Sequence, residues 1–447
     1  MVIYVNNDIK NILLNNFLRI ASIPRESGHE EKIADFFCDV AKKNNLYYFK
    51  DEYNNVLIKK KGNIKGEVVA LQAHLDMVCV KRDNSKHDFL KDGIEVIVDD
   101  EIVRAKDTSL GADQGVGLAM MLTIMEDDSL NHPDLEFMFT SEEETTFDGA
   151  VNFPYDKVKS KRIINLDNCD DDTIFVGADG DVCNEYVFEG ILEENSLPSY
   201  KIELKGFPGG NSGVDVDLAK DNAISKMAQI LEGKDVFIKS INGGTFENDL
   251  ATSCEVVINT NIDVNKLFED CDVKIENVLN DKTFSREDSS KIIKEILGLP
   301  CGYVFDNLSS ANLGVIESRD NIVKIYYVFR SMDEKSLDKI NDMSRNLDNG
   351  FIVNEIYTDP IWQVDEKSEL LFKYRELYFK EVDEYPKNVI WHGAIECASL
   401  KKRIDGVDII SIGAKIRRHH TVEEVTFISS WIKVYKLLIK FLEKIND

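Results

Sequence analysis

The sequence predicts an α/β protein: a three-layer domain with a mostly parallel sheet, interrupted by an inserted α+β domain with an antiparallel sheet. Three observations carry this. Apolar strands alternate with helical patterns through residue 185, strand character changes from about Tyr186, and strand-turn-helix patterning returns from about Pro386. The expected domains are therefore 1–185 with 386–447, and an insert at 186–385. A chain of 447 residues exceeds what one core serves, since domains run roughly 100–200 residues.

The elements follow in order. Residues 8–22 and 30–44 carry apolar residues at helical spacing, separated by the turn "IPRESGHE". A hairpin is expected around "YYFKDEYNNVLIKKKG", then a buried strand beginning at Val68 and ending at "AHLD". "GADQGVGLAMMLTIME" (111–126) opens with a glycine-rich turn and continues as a helix. "LEFMFT" (135–140) and "RIINLD" (162–167) read as strands ending in acidic residues. In the insert, "SYKIELKGFPGG", "DLAKDNAISKMAQILEG" and "TSCEVVINTNI" read strand, helix, strand. "NLGVIESRDNIVKIYYVFRS", "DEKSLDKINDMSRNL" and "GFIVNEIYTDP" continue that character. "NVIWHGAIECASL" and "GVDIISIGAKI" return to strand-turn-helix, and 424–444 closes as an amphipathic helix.

Bulk properties narrow the function. A formal charge of −27, from 54 basic and 81 acidic residues, disfavours a nucleic-acid or anionic-membrane partner. Eight scattered cysteines without a C-x-x-C pair fit reduced thiols in a cytoplasm better than disulfides or a structural zinc site. The N-terminus lacks a basic region followed by a long apolar core, so no signal peptide is expected. No stretch approaches the ~18 consecutive apolar residues of a membrane span.

Chemistry gathers at the strand ends. Residues two apart on a strand share a face, so His74 and Asp76 project together. Asp113 in "SLGADQGVG", Glu142, Glu143 and Glu144 in "TSEEETTFDGA", and Asp167 in "INLDNCDDD" repeat the pattern of a carboxylate at a strand end or glycine turn. In open α/β sheets, sites lie at the carboxyl ends of strands. Carboxylates converging there repel unless a cation holds them. Of seven histidines, His74, His392, His419 and His420 lie in or beside apolar strands, whereas His29, His87 and His132 sit in polar turns. A mixed nitrogen and oxygen set without thiolate suits Zn²⁺, Mn²⁺ or Co²⁺. Asp76 would then orient the His74 imidazole.

These residues, in this order, resemble the two-metal aminoacyl-histidine dipeptidases (Xaa-His dipeptidase, peptidase D type) of the aminopeptidase, deacylase and carboxypeptidase G clan. The resemblance runs through "AHLDMV", "TSLGADQGVG", "TSEEETTFDGA", "INLDNCDDD", "FPGGNSGVDVD", "GGTFEND", "WHGAIEC" and "IGAKIRRHHTVEE". It implies a catalytic domain with an inserted lid domain and two divalent metal ions, zinc first, with manganese or cobalt as alternatives. His74 and Asp167 would bind one metal, Glu144 and His420 the other, and Asp113 both. His420 rather than neighbouring His419 fits the motif because Thr421 and the acidic pair follow it. Glu143 falls on the general base, with a slip onto Glu142 as the alternative.

A water between metals ~3.5–4 Å apart would become hydroxide near neutral pH, and Glu143 would shuttle its proton. Asn211, Arg330 and His392 fall on substrate-binding positions. Arg330 lies where the resemblance suggests a grip on a terminal carboxylate. The family's Gly-Gly-His-Ser-Gly turn reads "GGNSG" here, so Asn211 replaces the oxyanion-stabilising histidine with an amide donor. The expected function is hydrolysis of dipeptides, Xaa-His or a broader range, by a cytoplasmic enzyme. The alternatives are an amidohydrolase of N-acyl amino acids and a catalytically weak relative that binds peptide or metal. Relatives in the clan pair through the inserted domain, which makes a homodimer one expected assembly.

Overall fold

The computed structural model describes residues 2–213, 215–305 and 308–447. The chain divides into two compact units: Met1–Gly177 with Trp362–Trp391 and Ile395–Asp447, and Ala178–Ile361 with His392–Ala394. The sequence reading set the insert at 186–385. The second unit starts earlier because strand Gly180–Glu189 pairs along its length with Ile322–Ser331. It ends earlier because Trp362–Gln363 joins the first unit's sheet and helix Glu369–Val382 buries Leu370, Tyr374, Leu377 and Tyr378 in the first unit's core.

The first unit is built on a mixed sheet. Its order is Tyr47–Lys50, Val56–Lys60, Leu135–Thr140, Val69–His74, Arg162–Asn165, Asp408–Ser411, Thr173–Ala178 and Trp362–Gln363, with Lys387–Trp391 also pairing to Thr173–Ala178. The central pairings are parallel and those toward the edges antiparallel. Strands Val69–His74 and Leu135–Thr140 are buried at every position, as befits parallel strands covered on both faces. Helix Ala112–Glu126 is buried from Ala112 through Met125; a helix apolar all round belongs in the interior. Phe17 lies 5.0 Å from Trp431, and Phe37 stacks 4.1 Å from Phe139. Each such ring contributes about 1.5–3 kcal/mol by leaving water.

A small antiparallel sheet escaped the sequence reading. It joins Ile416–Arg417, Val425–Phe427, Ile102–Ala105 and Val96–Asp99. Because Val425–Phe427 pairs with residues 102–104, the C-terminal helix starts at Ile428 rather than 424.

The second unit is α+β. Its main sheet runs Val273–Val278, Ser199–Leu204, Cys254–Asn259, Phe237–Gly243, Ser309–Arg319, Ile322–Ser331, Gly180–Glu189, Ile352–Thr358, and these pairings are antiparallel. Helices Ala223–Leu231, Arg286–Gly298 and Glu334–Arg345 each start at a side-chain cap: Asn222, Ser285 and Asp333 accept from backbone N–H groups one turn in.

Candidate metal centre

Parallel register brings strand ends level. His74 stands opposite Thr140, and Gln72 opposite Asn165, so the segments beyond these strands emerge side by side. They carry Asp76, Glu143 with Glu144, and Asp167. Asp113 arrives on the first turn of helix Ala112–Glu126, entered through Gly111 at φ +66°. A Cβ on Gly111 would meet the Arg25 guanidinium at 2.5 Å, so this entry requires glycine for both its backbone and its space. His420 arrives on the loop between Ile416–Arg417 and Val425–Phe427, itself left-handed at φ +62°. A histidine in that region is strained and persists only where its surroundings dictate it.

Asp113 is central. Its Oδ1 lies 3.2 Å from Nε2 of His74, and its Oδ2 lies 3.4 Å from Nε2 of His420. His74 Nε2 is also 3.9 Å from Asp167 Oδ1, and His420 Nε2 is 3.0 Å from Glu144 Oε2. Ligand atoms of His74, Asp113 and Glu144 lie within 4.8 Å of one another, as do those of His74, Glu143 and Asp167. Donors held at about 2.0–2.1 Å by a tetrahedral cation sit about 3.4 Å apart, so the spacing suits divalent ions. Thus His74, Asp76, Asp113, Glu143, Glu144, Asp167 and His420 come together in the first unit. His420, not His419, makes these contacts.

Charge argues the same way. Burial pushes the Asp167 and Glu143 carboxyls well above the usual range, and neighbouring carboxylates add to it: Asp113 for Asp167, Asp167 and Glu144 for Glu143. Burial opposes charge on His74 and His420, but their acidic partners outweigh it and raise both well above the ordinary value. Burial acts to raise Asp113, yet the two imidazoles pull it well below. Two acids pushed toward neutrality beside two imidazoles pushed toward charge describe a pocket short of positive charge. The donor set fits a pair of divalent ions.

Buried groups hold these side chains in place. Asp76 Oδ1 lies 3.3 Å from Nδ1 of His74 and accepts the Glu143 N–H at 3.1 Å, while Oδ2 accepts Glu144 N–H at 3.1 Å and Ser27 Oγ at 2.8 Å. Gln114 Nε2 donates to Asp167 Oδ1 at 2.8 Å. Arg25 Nη1 donates to the carbonyl of Leu75 at 3.0 Å, and Nη2 to that of Gly111. Glu30 accepts from Glu142 N–H at 3.0 Å. Glu396, fully buried, accepts from Gln72 and Thr140, and burial raises its carboxyl to about 7. Glu424 accepts from the N–H groups of Leu110, Gly111, Ala112 and Asp113. Sequence reasoning assigned no role to Arg25, Glu30, Gln114, Glu396 or Glu424. Gln114, Glu396 and Glu424 nevertheless lie inside the motifs that carry the resemblance.

Asn211, Arg330 and His392 lie in the second unit. Asn211 Oδ1 accepts Gly213 N–H at 2.8 Å, which assigns the other side-chain atom, the amide nitrogen, as its donor. Arg330, 3% exposed, donates to Asp181 Oδ2 at 2.9 Å, Ser212 Oγ at 2.8 Å and Asn248 Oδ1 at 2.6 Å. His392 Nδ1 lies 3.3 Å from Asp179 Oδ2, and this partner raises the imidazole above its ordinary pKa.

Residues 55–189 match the profile of Peptidase family M28. The chain is 29% identical over 469 aligned residues to the cytosol non-specific dipeptidase of Escherichia coli K12, covering 96% of each. It superposes on the crystal structure of aminoacylhistidine dipeptidase from Vibrio alginolyticus with a TM-score of 0.76 at 25% identity, covering 97% of this chain and 96% of that one. A tripeptidase from Staphylococcus aureus shares the fold, with a TM-score of 0.65 at 17% identity over 97% and 98% of the two chains. The resemblance to dipeptidases of this clan, first read from the motifs, is borne out over 96–97% of the chain.

Proposed function

We propose that this chain, a peptide hydrolase of the two-metal dipeptidase clan, cleaves dipeptides, Xaa-His or a broader range, in the cytoplasm. The observation that carries the reading is Asp113, whose two oxygens face the imidazoles of His74 and His420. In this reading His74 and Asp167 hold one cation, Glu144 and His420 the other, and Asp113 both. Zinc suits this nitrogen and oxygen set best, with manganese and cobalt as alternatives. Such a pair, when bound, supplies a water activated at neutral pH and polarises the scissile carbonyl.

The chain's own residues do the rest. Glu143 takes the water's proton on its carboxylate and later delivers it to the leaving amine, work worth about 10²–10⁴ in rate. Among the described residues no hydrogen bond occupies its carboxylate oxygens, and its raised pKa suits a group that must carry a proton. Asp76 keeps Nδ1 of His74 engaged, so Nε2 is the nitrogen aimed at Asp113. Asn211, through its amide nitrogen, is the proposed oxyanion donor, and Arg330 and His392 the remaining substrate-side residues. Eight free cysteines agree with a reducing compartment.

The test is turnover of a dipeptide panel, including β-alanyl-His and Gly-His, by protein reconstituted with Zn²⁺ or Mn²⁺, with Glu143→Ala as control. Metal-dependent cleavage lost in the variant supports the reading. Cleavage of N-acyl amino acids but no dipeptide would move the activity to deacylation, and no turnover with metal bound would overturn hydrolysis.

A further inference from the structure

Glu424 is 2% exposed, yet it touches no proposed cation ligand through its own side chain except by the backbone of Asp113. Its Oε2 accepts the N–H groups of Leu110 at 2.7 Å and Gly111 at 2.9 Å. Its Oε1 accepts those of Ala112 at 2.8 Å and Asp113 at 3.3 Å. These open helix Ala112–Glu126, and Gly111 has no side chain to satisfy them. A carboxylate there also answers the positive end of the helix.

The other end of the connection is the segment that Glu424 sits on. It follows His420 by four residues in a tight turn, with Glu424 N–H donating to the Thr421 carbonyl at 3.2 Å and Thr421 Oγ1 to the Arg418 carbonyl at 2.8 Å. Immediately beyond, Val425–Phe427 is pinned to Ile102–Arg104. From the opposite side, Arg25 grips the Gly111 carbonyl. One short stretch therefore carries His420 and, through Glu424, the backbone that presents Asp113.

We propose that Glu424 is a positioning residue that sets the separation of Asp113 from His420, and through it the affinity of the cation position shared by Glu144 and His420. This rests on the two-cation reading above. Glu424 makes no hydrogen bond to His74 or Asp167, whose side chains are held by Asp76 and Gln114, so the position they serve depends on Glu424 only through Asp113.

The experiment is calorimetric titration of metal-stripped full-length protein with Co²⁺, read also by the Co²⁺ visible bands, in the natural protein and in Glu424→Gln, Glu424→Asp and Glu423→Gln. In Glu424→Gln an amide N–H₂ must face backbone donors. One of two binding events is expected to weaken about 10–100-fold, the usual effect of removing such a support, while the other moves by less than about threefold. Glu424→Asp keeps the carboxylate one methylene short, should show the same split in smaller measure, and decides the matter if Glu424→Gln does not fold. Exposed Glu423, paired to Arg82 at 3.0 Å, is the control, and its variant should bind both ions normally. Both events weakening alike, or neither changing, overturns the proposal. Fewer than two events in the natural protein overturns the two-cation reading and the proposal with it.

Discussion

Asp76 Oδ1 stands 3.3 Å from Nδ1 of His74, and the same carboxylate accepts the backbone N–H groups of Glu143 and Glu144. One buried side chain thus fixes an imidazole on one strand end and the peptide carrying two glutamates on the next. Asp76→Asn would place an amide nitrogen against one of these N–H donors. We expect cation affinity to fall about 10–100-fold. The orphaned N–H should also cost about 1–3 kcal/mol of stability. Calorimetry and thermal unfolding read these separately; unchanged affinity would remove Asp76 from the site's machinery.

Stripping the metal should make stability strongly pH-dependent. Without cations, His74 and His420 sit above their ordinary pKa, so the stability they add is complete below about 6.5 and is lost as pH rises through the raised values. Glu143 and Asp167, also raised, lose their contribution in the same direction, from the ordinary carboxylate range upward. The melting temperature of chelated protein should therefore fall as pH rises above about 6.5, the ordinary histidine value, while the loaded protein stays nearly flat. Parallel curves would show that the buried charges are compensated some other way.

In the second unit, Arg330 serves three acceptors, of which Asp181 at 2.9 Å and Ser212 at 2.8 Å are buried. Removing one partner of a buried pair costs about 3–5 kcal/mol, so Arg330→Met should lower the unfolding free energy by that much and shift the denaturant midpoint down accordingly. A normal midpoint with a raised KM would instead make Arg330 chiefly a substrate grip.

Burial raises the Glu295 carboxyl from 4.5 to about 7, against the opposing hydrogen bond from Asn349 Nδ2 at 3.0 Å. The neutral form is favoured in the fold, so stability is greatest below the unfolded pKa and lost as pH rises through about 7. Glu295→Gln, which keeps an acceptor for Asn349, should stabilise the protein at pH 8 by up to about 3 kcal/mol and hardly at all at pH 4.5. Equal effects at both values would contradict the titration.

Local pattern was enough for much of this protein. Continuous apolar runs ending in His74, Thr140 and Asp167 announced parallel strands, because strands covered on both faces need no polar alternation. The acidic ends of those runs marked where side chains of one chemistry would meet. Helix Ala112–Glu126 and the antiparallel insert were legible for the same reason: period and composition report which faces are buried.

What tertiary structure decided is the set of long-range pairings. The strand partner of Val425–Phe427 lies some three hundred residues earlier, and no periodicity encodes a partner's identity. That pairing sets the start of the C-terminal helix at Ile428, places His420 rather than His419 beside Glu144, and turns Glu424 from one more acid in a charged stretch into the cap of the helix bearing Asp113. It likewise took the folded unit to enclose Arg330 among Asp181, Ser212 and Asn248. Sequence determined which chemistries were present and on which elements. Packing determined which donor met which acceptor, because a hydrogen bond depends on ångström-scale distance that only the assembled core sets.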